Sequence, residues 1–463
     1  MTNKEKYGEV HTDIDLIKRM FAILPKKCYE NPKLKWLDPC CGKGYFMVFL
    51  FNKLYSSLKC KIPDDTKRKA HIIENMLYMV EINKEHIPTL RDIFGAKANI
   101  YNKDFLEFNT SKLTNFFLIS FDVIIGNPPF NINGLKKTPT NNKLDKLKDG
   151  KTIWPDFIKH SISMLKSRGF LVMITPSIWM RPDRAKMYDY LTGFNITNIH
   201  CFSNTETNKL FHGKAQTPTC FFLLTNEPNR SYCTLYDSHT KSMNPWPLYR
   251  SQLPIPVFAS SIFLKLQSFV QKYGHIEIIK TNMPDKNAYY TTSFSLITPY
   301  PNVKTCLLNK NRPYLSINYS SRLLQFANIP KIIMAHKMYG FPFLDLEGKY
   351  GISNRDNYVI VSKKIGEFRL LRDFLSTRFA RYLFEGGRYR MKYLGKHIFE
   401  LIPDITKFYN KNQKITDHII ADLFHLNHIE RKCIFEFHKK NYLECIPRKN
   451  ISIIYEDKAT QKT

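Results

Sequence analysis

Phe121–Phe130 reads FDVIIGNPPF. Apolar and β-branched residues run through a single glycine into Asn-Pro-Pro and end on an aromatic ring. The apolar run predicts a buried strand. Two successive prolines bring no N–H to a ladder, so the strand must stop at the turn. What the turn presents is a side-chain amide, rigidly held carbonyls and a flat ring.

Outward from this stretch, strands and helices alternate. KWLDPCCGKG (35–44), MLYMVEI (76–82), ANIYNKDF (98–105), GFLVMITP (169–176) and PTCFFLLT (218–225) read as strands or strand ends. Between them YFMVFLFNKLYSSL (45–58) and NKEHIPTLRDIF (83–94) read as helices, and in TIWPDFIKHSISMLKS (152–167) Trp154, Phe157, Ile158, Ile162 and Leu165 share one helical face. This rhythm predicts an α/β fold with a mostly parallel, Rossmann-like sheet, whose ligands bind beyond the carboxyl ends of the strands. It spans residues 1–226, with a polar, lysine-rich insert at 131–151 expected to be a mobile substrate loop containing Lys136 and Lys137. Residues 227–410 break into short aromatic-rich runs and predict a separate mixed domain, and 411–463 a helical tail.

Lys and Arg number 70 against 40 Asp and Glu, a formal charge of +30 with a pI near 9.6. Such an excess favours a polyanionic partner. No apolar run is long enough for a membrane span and the N-terminus lacks a signal-peptide core, which favours nucleic acid over a membrane. The ten cysteines form no disulfide framework, in keeping with a reducing, cytoplasmic setting. His425, His428, Cys433 and His438 match no metal-site spacing, and no metal is expected there.

Three strand ends bear acids. Asp38 precedes the glycine turn holding Gly42 and Gly44, which lacks the Gly-Lys-Ser/Thr ending of a phosphate loop. Glu81 closes the second strand, where a carboxylate can take hydrogen bonds from ribose hydroxyls. Asp104 closes the third, suited to an adenine amino group, with Phe105 beside it to stack on the ring. Together they describe a pocket for an adenosine carrying positive charge. An exocyclic amine beside Asn127 would give its hydrogens to the amide oxygen and to the Pro128 carbonyl, with Pro129 fixing the geometry and Phe130 stacking on the base.

Asp-Pro-Cys-Cys-Gly-Lys-Gly followed by Asn-Pro-Pro-Phe resembles the gamma-class DNA adenine-N6 methyltransferases, with the cofactor motif first, the catalytic motif second and a target-recognition domain last. YGEVHTDIDLIKRM (7–20) resembles that class's N-terminal motif, with His11 and Asp13 in place of its usual Phe and Pro. GFLVMITPSIW (169–179) and NKLFHGKAQTPTCFFLLTN (208–226) resemble its later motifs. The resemblance implies S-adenosyl-L-methionine as cofactor, held by Thr12, Asp38, Pro39, Cys40, Gly42, Gly44, Glu81, Asp104 and Phe105, and a flipped adenine held by Asn127, Pro128, Pro129 and Phe130 with Phe211 on its other face. It implies double-stranded DNA as partner, and a cognate restriction endonuclease encoded separately is compatible with it. Basic residues interleaved with aromatics from Arg378 to Tyr393, Arg388 and Arg390 among them, are the candidate DNA contacts. No acid-acid-Lys cluster points to a fused nuclease. Two rival readings share these residues: the same pocket acting on an RNA base or a protein glutamine, and a DNA-binding or assembly protein that keeps the fold without turnover.

Overall fold

The computed structural model describes residues 12–108, 120–132, 151–183, 185–213, 215, 217–230, 232–248, 253–309, 312–336, 341–390, 393–410 and 412–437. Lys136, Lys137, His438 and the end of the tail lie outside these. The chain divides into two compact units, Met1–Tyr236 with Met243–Gln252, and Asp237–Ser242 with Leu253–Thr463.

The first unit is built on nine strands: β1 Trp36–Asp38, β2 Leu77–Glu81, β3 Asn99–Asn102, β4 Phe121–Gly126, β5 Leu165–Pro176, β6 Phe194–Phe202, β7 Thr219–Pro228, β8 Tyr232–Asp237 and β9 Ser242–Pro247. Their order is β3-β2-β1-β4-β5-β7-β6-β8-β9. Strands β1 to β5 pair in parallel and β7 lies antiparallel between β5 and β6, so the expected mostly parallel sheet is present. The sheet continues past Asn226 through β8 and β9, and the first unit therefore ends later than the change in sequence rhythm suggests.

On β4 the pleat turns Val123 and Ile125 into one core cluster while Ile124 is buried outside it. That cluster receives Leu16, Ile17, Met20 and Phe21 of the helix Ile14–Ala22, and Phe46, Met47, Leu50 and Leu54 of the helix Tyr45–Ser57. The helix Trp154–Met164 buries Trp154, Phe157, Ile158 and Ile162, the face read from their spacing. Leu165 opens β5 instead of continuing that helix.

The second unit holds two four-stranded sheets. One is ordered β10 (Ile279–Lys280), β17 (Asn357–Ile360), β14 (Lys331–Ala335), β15 (Phe343–Asp345); the other β11 (Tyr290–Thr291), β13 (Arg312–Ser320), β12 (Tyr300–Asn309), β16 (Gly351–Ile352). Val303 and Cys306 of one and Ile333, Phe343 and Val359 of the other share a core. The helix Ser260–Tyr273 precedes these strands, Ile365–Leu375 and Arg378–Gly386 follow them, and the short helices Asp417–Leu423 and His428–Phe435 lie in the region expected to be a helical tail. The short excursion 237–242 belongs to this unit through its side chains. His239 stacks on Phe258 with ring centroids 4.0 Å apart, its Nδ1 lies 3.1 Å from the Tyr382 hydroxyl, and Asp237 Oδ2 accepts from the Ser260 N–H at 3.1 Å.

One ion pair is sealed in this core. Lys331 Nζ meets Asp345 Oδ2 at 2.6 Å and donates to the Ile329 carbonyl at 3.1 Å, while Asp345 also accepts from the Lys349 and Tyr350 N–H groups. Burial lowers the Lys331 pKa and Asp345 opposes that shift. Removing one member strands the other charge in the interior, whereas replacing both does not. Lys331→Ala is expected to destabilise the second unit by about 3–5 kcal/mol in urea unfolding, and Lys331→Met/Asp345→Leu by much less.

Candidate functional site

The site forms where β1, β2 and β4 end side by side. In parallel register Trp36 lies against Leu77 and Val123, and Leu37 against Ile124, so Asp38, Glu81 and the turn after Gly126 emerge at one edge. Gly126 is required by this crowding. A Cβ there would sit 2.9 Å from Asp38 Oδ1 and 3.2 Å from Pro39 Cδ. Gly44, with φ +84°, opens the helix Tyr45–Ser57, and a Cβ there would meet Leu90 Cδ2 at 2.8 Å.

The turn from Pro39 to Gly44 is held by the acids around it. The Cys40 N–H donates to Asp38 Oδ1 at 3.1 Å and the Gly42 N–H to Glu81 Oε2 at 2.7 Å. The other Glu81 oxygen accepts from the Asn83 N–H at 2.7 Å, and His86 Nδ1 stands 3.7 Å from it. Asp38 is only 1 % exposed, and its Oδ2 is buried without a hydrogen-bond partner. Burial pushes its carboxyl up to about 8, against the opposing Cys40 N–H and with a further push from Glu81. Burial and the same two acids raise the Cys40 and Cys41 thiols well above their usual range. A buried, orphaned carboxylate oxygen beside a second acid is a set of donors suited to a cation.

The opening motif lies against this turn. Asn127 Nδ2 donates to Thr12 Oγ1 at 3.0 Å, and the Asn127 backbone N–H approaches the Cys40 thiol. The amide is tied through its nitrogen end, and the end it offers is the oxygen. Pro128 is buried, while Asn127, Pro129 and Phe130 are half-buried. The Phe130 carbonyl accepts from the Ile153 N–H at 3.1 Å, and the Ile132 N–H donates to the Lys151 carbonyl at 2.8 Å. Asn131 and Thr152 form an isolated antiparallel bridge, so both stems of the 133–150 insert are clamped beside the motif.

Thr12, Asp38, Pro39, Cys40, Gly42, Glu81 and Asn127 are thus brought together. Asp104 follows β3 and caps its own turn, accepting from the Leu106 N–H at 2.9 Å. Three further expected residues are buried. Phe105 is buried against His160, Phe157 and Phe108, with its ring closed off by core side chains. Phe211 is buried in the core cluster with Phe202 and Phe221. Arg388 is also buried, with Nη2 3.0 Å from Glu385, which also stands 3.5 Å from Arg381; a charge so enclosed needs its acid more than a phosphate. Tyr382 and Tyr389 face the core too, whereas Arg390 is exposed.

The sequence reading missed the Thr12–Asn127 bond, the thiol behind Asn127 and the role of Gly126. The last had a signal, a glycine placed directly before Asn-Pro-Pro at the end of a strand that otherwise excludes glycine. Among the described residues no group of three or more His, Cys, Asp or Glu could hold a metal, and no helix is long and apolar enough to cross a membrane.

Residues 50–211 match the family described as Eco57I restriction-modification methylase. The chain is similar to restriction-modification adenine methylases. It is 25% identical to an uncharacterized adenine-specific methylase of Mycoplasma pneumoniae, over 37% of this chain and 56% of that one. It is 29% identical to the type II methyltransferase M.VspI of Vibrio sp. (strain 343), over 36% of each chain. The chain thus spans about half or less of the length of these curated relatives. Its fold matches the type IIL restriction-modification enzyme MmeI, solved in complex with DNA, at a TM-score of 0.51 and 14% identity, covering 86% of this chain and 68% of that one. The methylase fold read from the motifs is therefore present, a mostly parallel sheet followed by mixed-sheet and helical parts.

The buried carboxyl makes a prediction for the free protein. Asp38 binds its proton more tightly folded, at about 8, than at its ordinary 3.8, so its contribution to stability is full below pH 3.8 and is lost as pH rises through about 8. Asp38→Asn removes this loss. The variant is expected to unfold at a higher temperature than the parent at pH 8, with the two converging toward pH 4, as followed by circular dichroism.

Proposed function

We propose that this chain is an S-adenosyl-L-methionine-dependent DNA methyltransferase acting on adenine N6 of a base flipped out of a duplex at a specific sequence. The observation that carries the reading is the anchored amide. Asn127 is tied through Nδ2 to Thr12, which leaves its carbonyl oxygen as the group that meets a substrate amine. An acceptor is what such an amine needs, because its nitrogen lone pair is delocalised into the ring. Hydrogen bonds to the Asn127 side-chain oxygen and the Pro128 carbonyl draw that nitrogen toward tetrahedral geometry and expose the lone pair. Phe130 stacks on the base and offsets part of the cost of unstacking it, a few kcal/mol.

The acidic turn fits the cofactor by its chemistry. When bound, S-adenosyl-L-methionine supplies an electrophilic methyl group on a sulfonium centre and a cationic amino group. Asp38 sets its unpartnered oxygen toward positive charge, Glu81 accepts from ribose hydroxyls and Asp104 from the adenine amine. Gly42, with φ +54°, gives its N–H to Glu81, and Gly44 lets the turn pack closely against Leu90. The formal charge of +30 suits a duplex as substrate, with the second unit selecting the sequence and a separately encoded endonuclease as the counterpart activity.

Labelled S-adenosyl-L-methionine offered with unmodified duplex DNA, RNA and bulk protein tests the reading. The expected product is N6-methyladenine in DNA, reduced at least about a hundredfold by Asn127→Ala. Label in RNA or protein would keep the pocket and overturn the substrate. Cofactor binding without transfer to any of the three would make the chain a binding protein. Thr12→Val is expected to lower kcat by about tenfold or more with a smaller change in the KM for cofactor, while Thr12→Ser stays near the parent value.

A further inference from the structure

In the second unit, β11 and β12 flank β13 on opposite sides. Thr291 pairs with Tyr319 and Tyr300 with Ser320, so residues 292–299 cross over the end of β13 from one neighbour to the other. Hydroxyl groups brace this crossover. Thr298, 1 % exposed, lies 2.6 Å from Thr291 Oγ1 and 2.7 Å from Ser295 Oγ, and its N–H donates to Ser295 Oγ at 3.1 Å. The Thr291 hydroxyl donates to the Ser293 carbonyl at 2.7 Å, and Phe294 meets Tyr319 edge-on at 6.0 Å. The outcome of this bracing is unusual. Leu296 is 92 % exposed and Ile297 77 %, two adjacent aliphatic side chains held out from the protein on a polar frame.

Single exposed apolar residues are ordinary, but an adjacent pair on a braced crown with exposed Phe294 and Tyr289 alongside is a contact surface. Its surroundings select the partner. On the strands and turns of this sheet Lys286, before β11, Lys304, on β12, and Arg322, after β13, are exposed, with Asp285 the exposed acid beside Lys286. An excess of exposed cations on the sheet that carries a small apolar tip matches a polyanion whose charge lies outside and whose apolar surface lies within, which describes stacked base pairs behind phosphates. Apolar side chains inserted at a base step unstack it at a cost of a few kcal/mol and gain a wider protein contact.

We infer that Leu296 and Ile297 form an apolar wedge that enters the base stack of duplex DNA; this rests on the DNA-methyltransferase reading above. The wedge supplies apolar contact, while Arg322 and its neighbours supply phosphate contact. These two contributions separate by salt, because only phosphate contacts release counterions.

The test uses the full chain and an unmethylated plasmid, comparing the parent with Leu296→Ala/Ile297→Ala, Leu296→Met/Ile297→Leu and Arg322→Gln. Binding is measured across salt concentrations, together with methyl transfer. The alanine pair is expected to weaken binding about tenfold at every salt concentration, leaving the slope of log affinity against log salt unchanged. The Met/Leu pair should bind like the parent, and Arg322→Gln should reduce the slope by about one. Because these side chains are exposed, thermal midpoints should not move. Parent-like affinity in the alanine pair, with methyl transfer intact in the parent, overturns the wedge alone. So does a loss confined to self-association or to retention on anionic phospholipid vesicles. A parent protein that binds cofactor yet neither retains nor methylates DNA overturns the DNA reading, and the wedge with it.

Discussion

The arrangement depends on how closely β4 is allowed to approach the end of β1. Gly126 has no side chain to hold Asp38 and Pro39 away, and its neighbour Asn127 is thereby set one residue from the buried acid. In the proposed function, cofactor-side and substrate-side chemistry are separated by a single backbone step. The prolines that follow stiffen this step, and Thr12 takes up the Asn127 amide nitrogen. Placement on strand ends gives the site the rigidity of the sheet, where loop-borne groups would lack it.

Asp38 shows what that closeness costs. A carboxyl enclosed beside Glu81 with one oxygen unpartnered opposes folding of the free chain above its ordinary titration range. The unfavourable charge is retained where a cationic ligand can relieve it, the usual place for a local departure from good packing. The Lys331–Asp345 pair shows the opposite solution: a charge equally buried but fully matched within the protein. One interior acid is matched by a cation of the chain itself, and the other has one oxygen without a hydrogen-bond partner.

Much of this was legible in the residues. Continuous apolar runs ending in glycine or acid gave the parallel strands, and Asn-Pro-Pro-Phe gave the turn, because these features are local. Position along the chain also located Asp38, Glu81 and Asn127 on adjacent strand ends. Other features needed three dimensions. Phe105 and Phe211 follow strand and helix ends, and only packing shows that His160 and Phe157 lie against the first and that the second belongs to the core cluster. The burial of Arg388 beside Glu385 was likewise hidden, because charge is visible in sequence and burial is not. The second unit was least legible, since its sheets pair strands distant in sequence, β10 with β17 and β12 with β16, and no periodicity records such pairings.

The excursion 237–242 bears on how this chain can be recombined. The backbone passes between the two units at three places, after Tyr236, after Ser242 and after Gln252. A junction at Gln252 alone carries away Phe258, Ser260 and Tyr382 but leaves behind His239 and Asp237, their stacking and hydrogen-bonding partners. The second unit is therefore not a cassette with one seam. Exchange of the second unit between relatives built this way must move two segments, 237–242 and the chain from Leu253, in concert, which restricts the breakpoints that yield a folded hybrid.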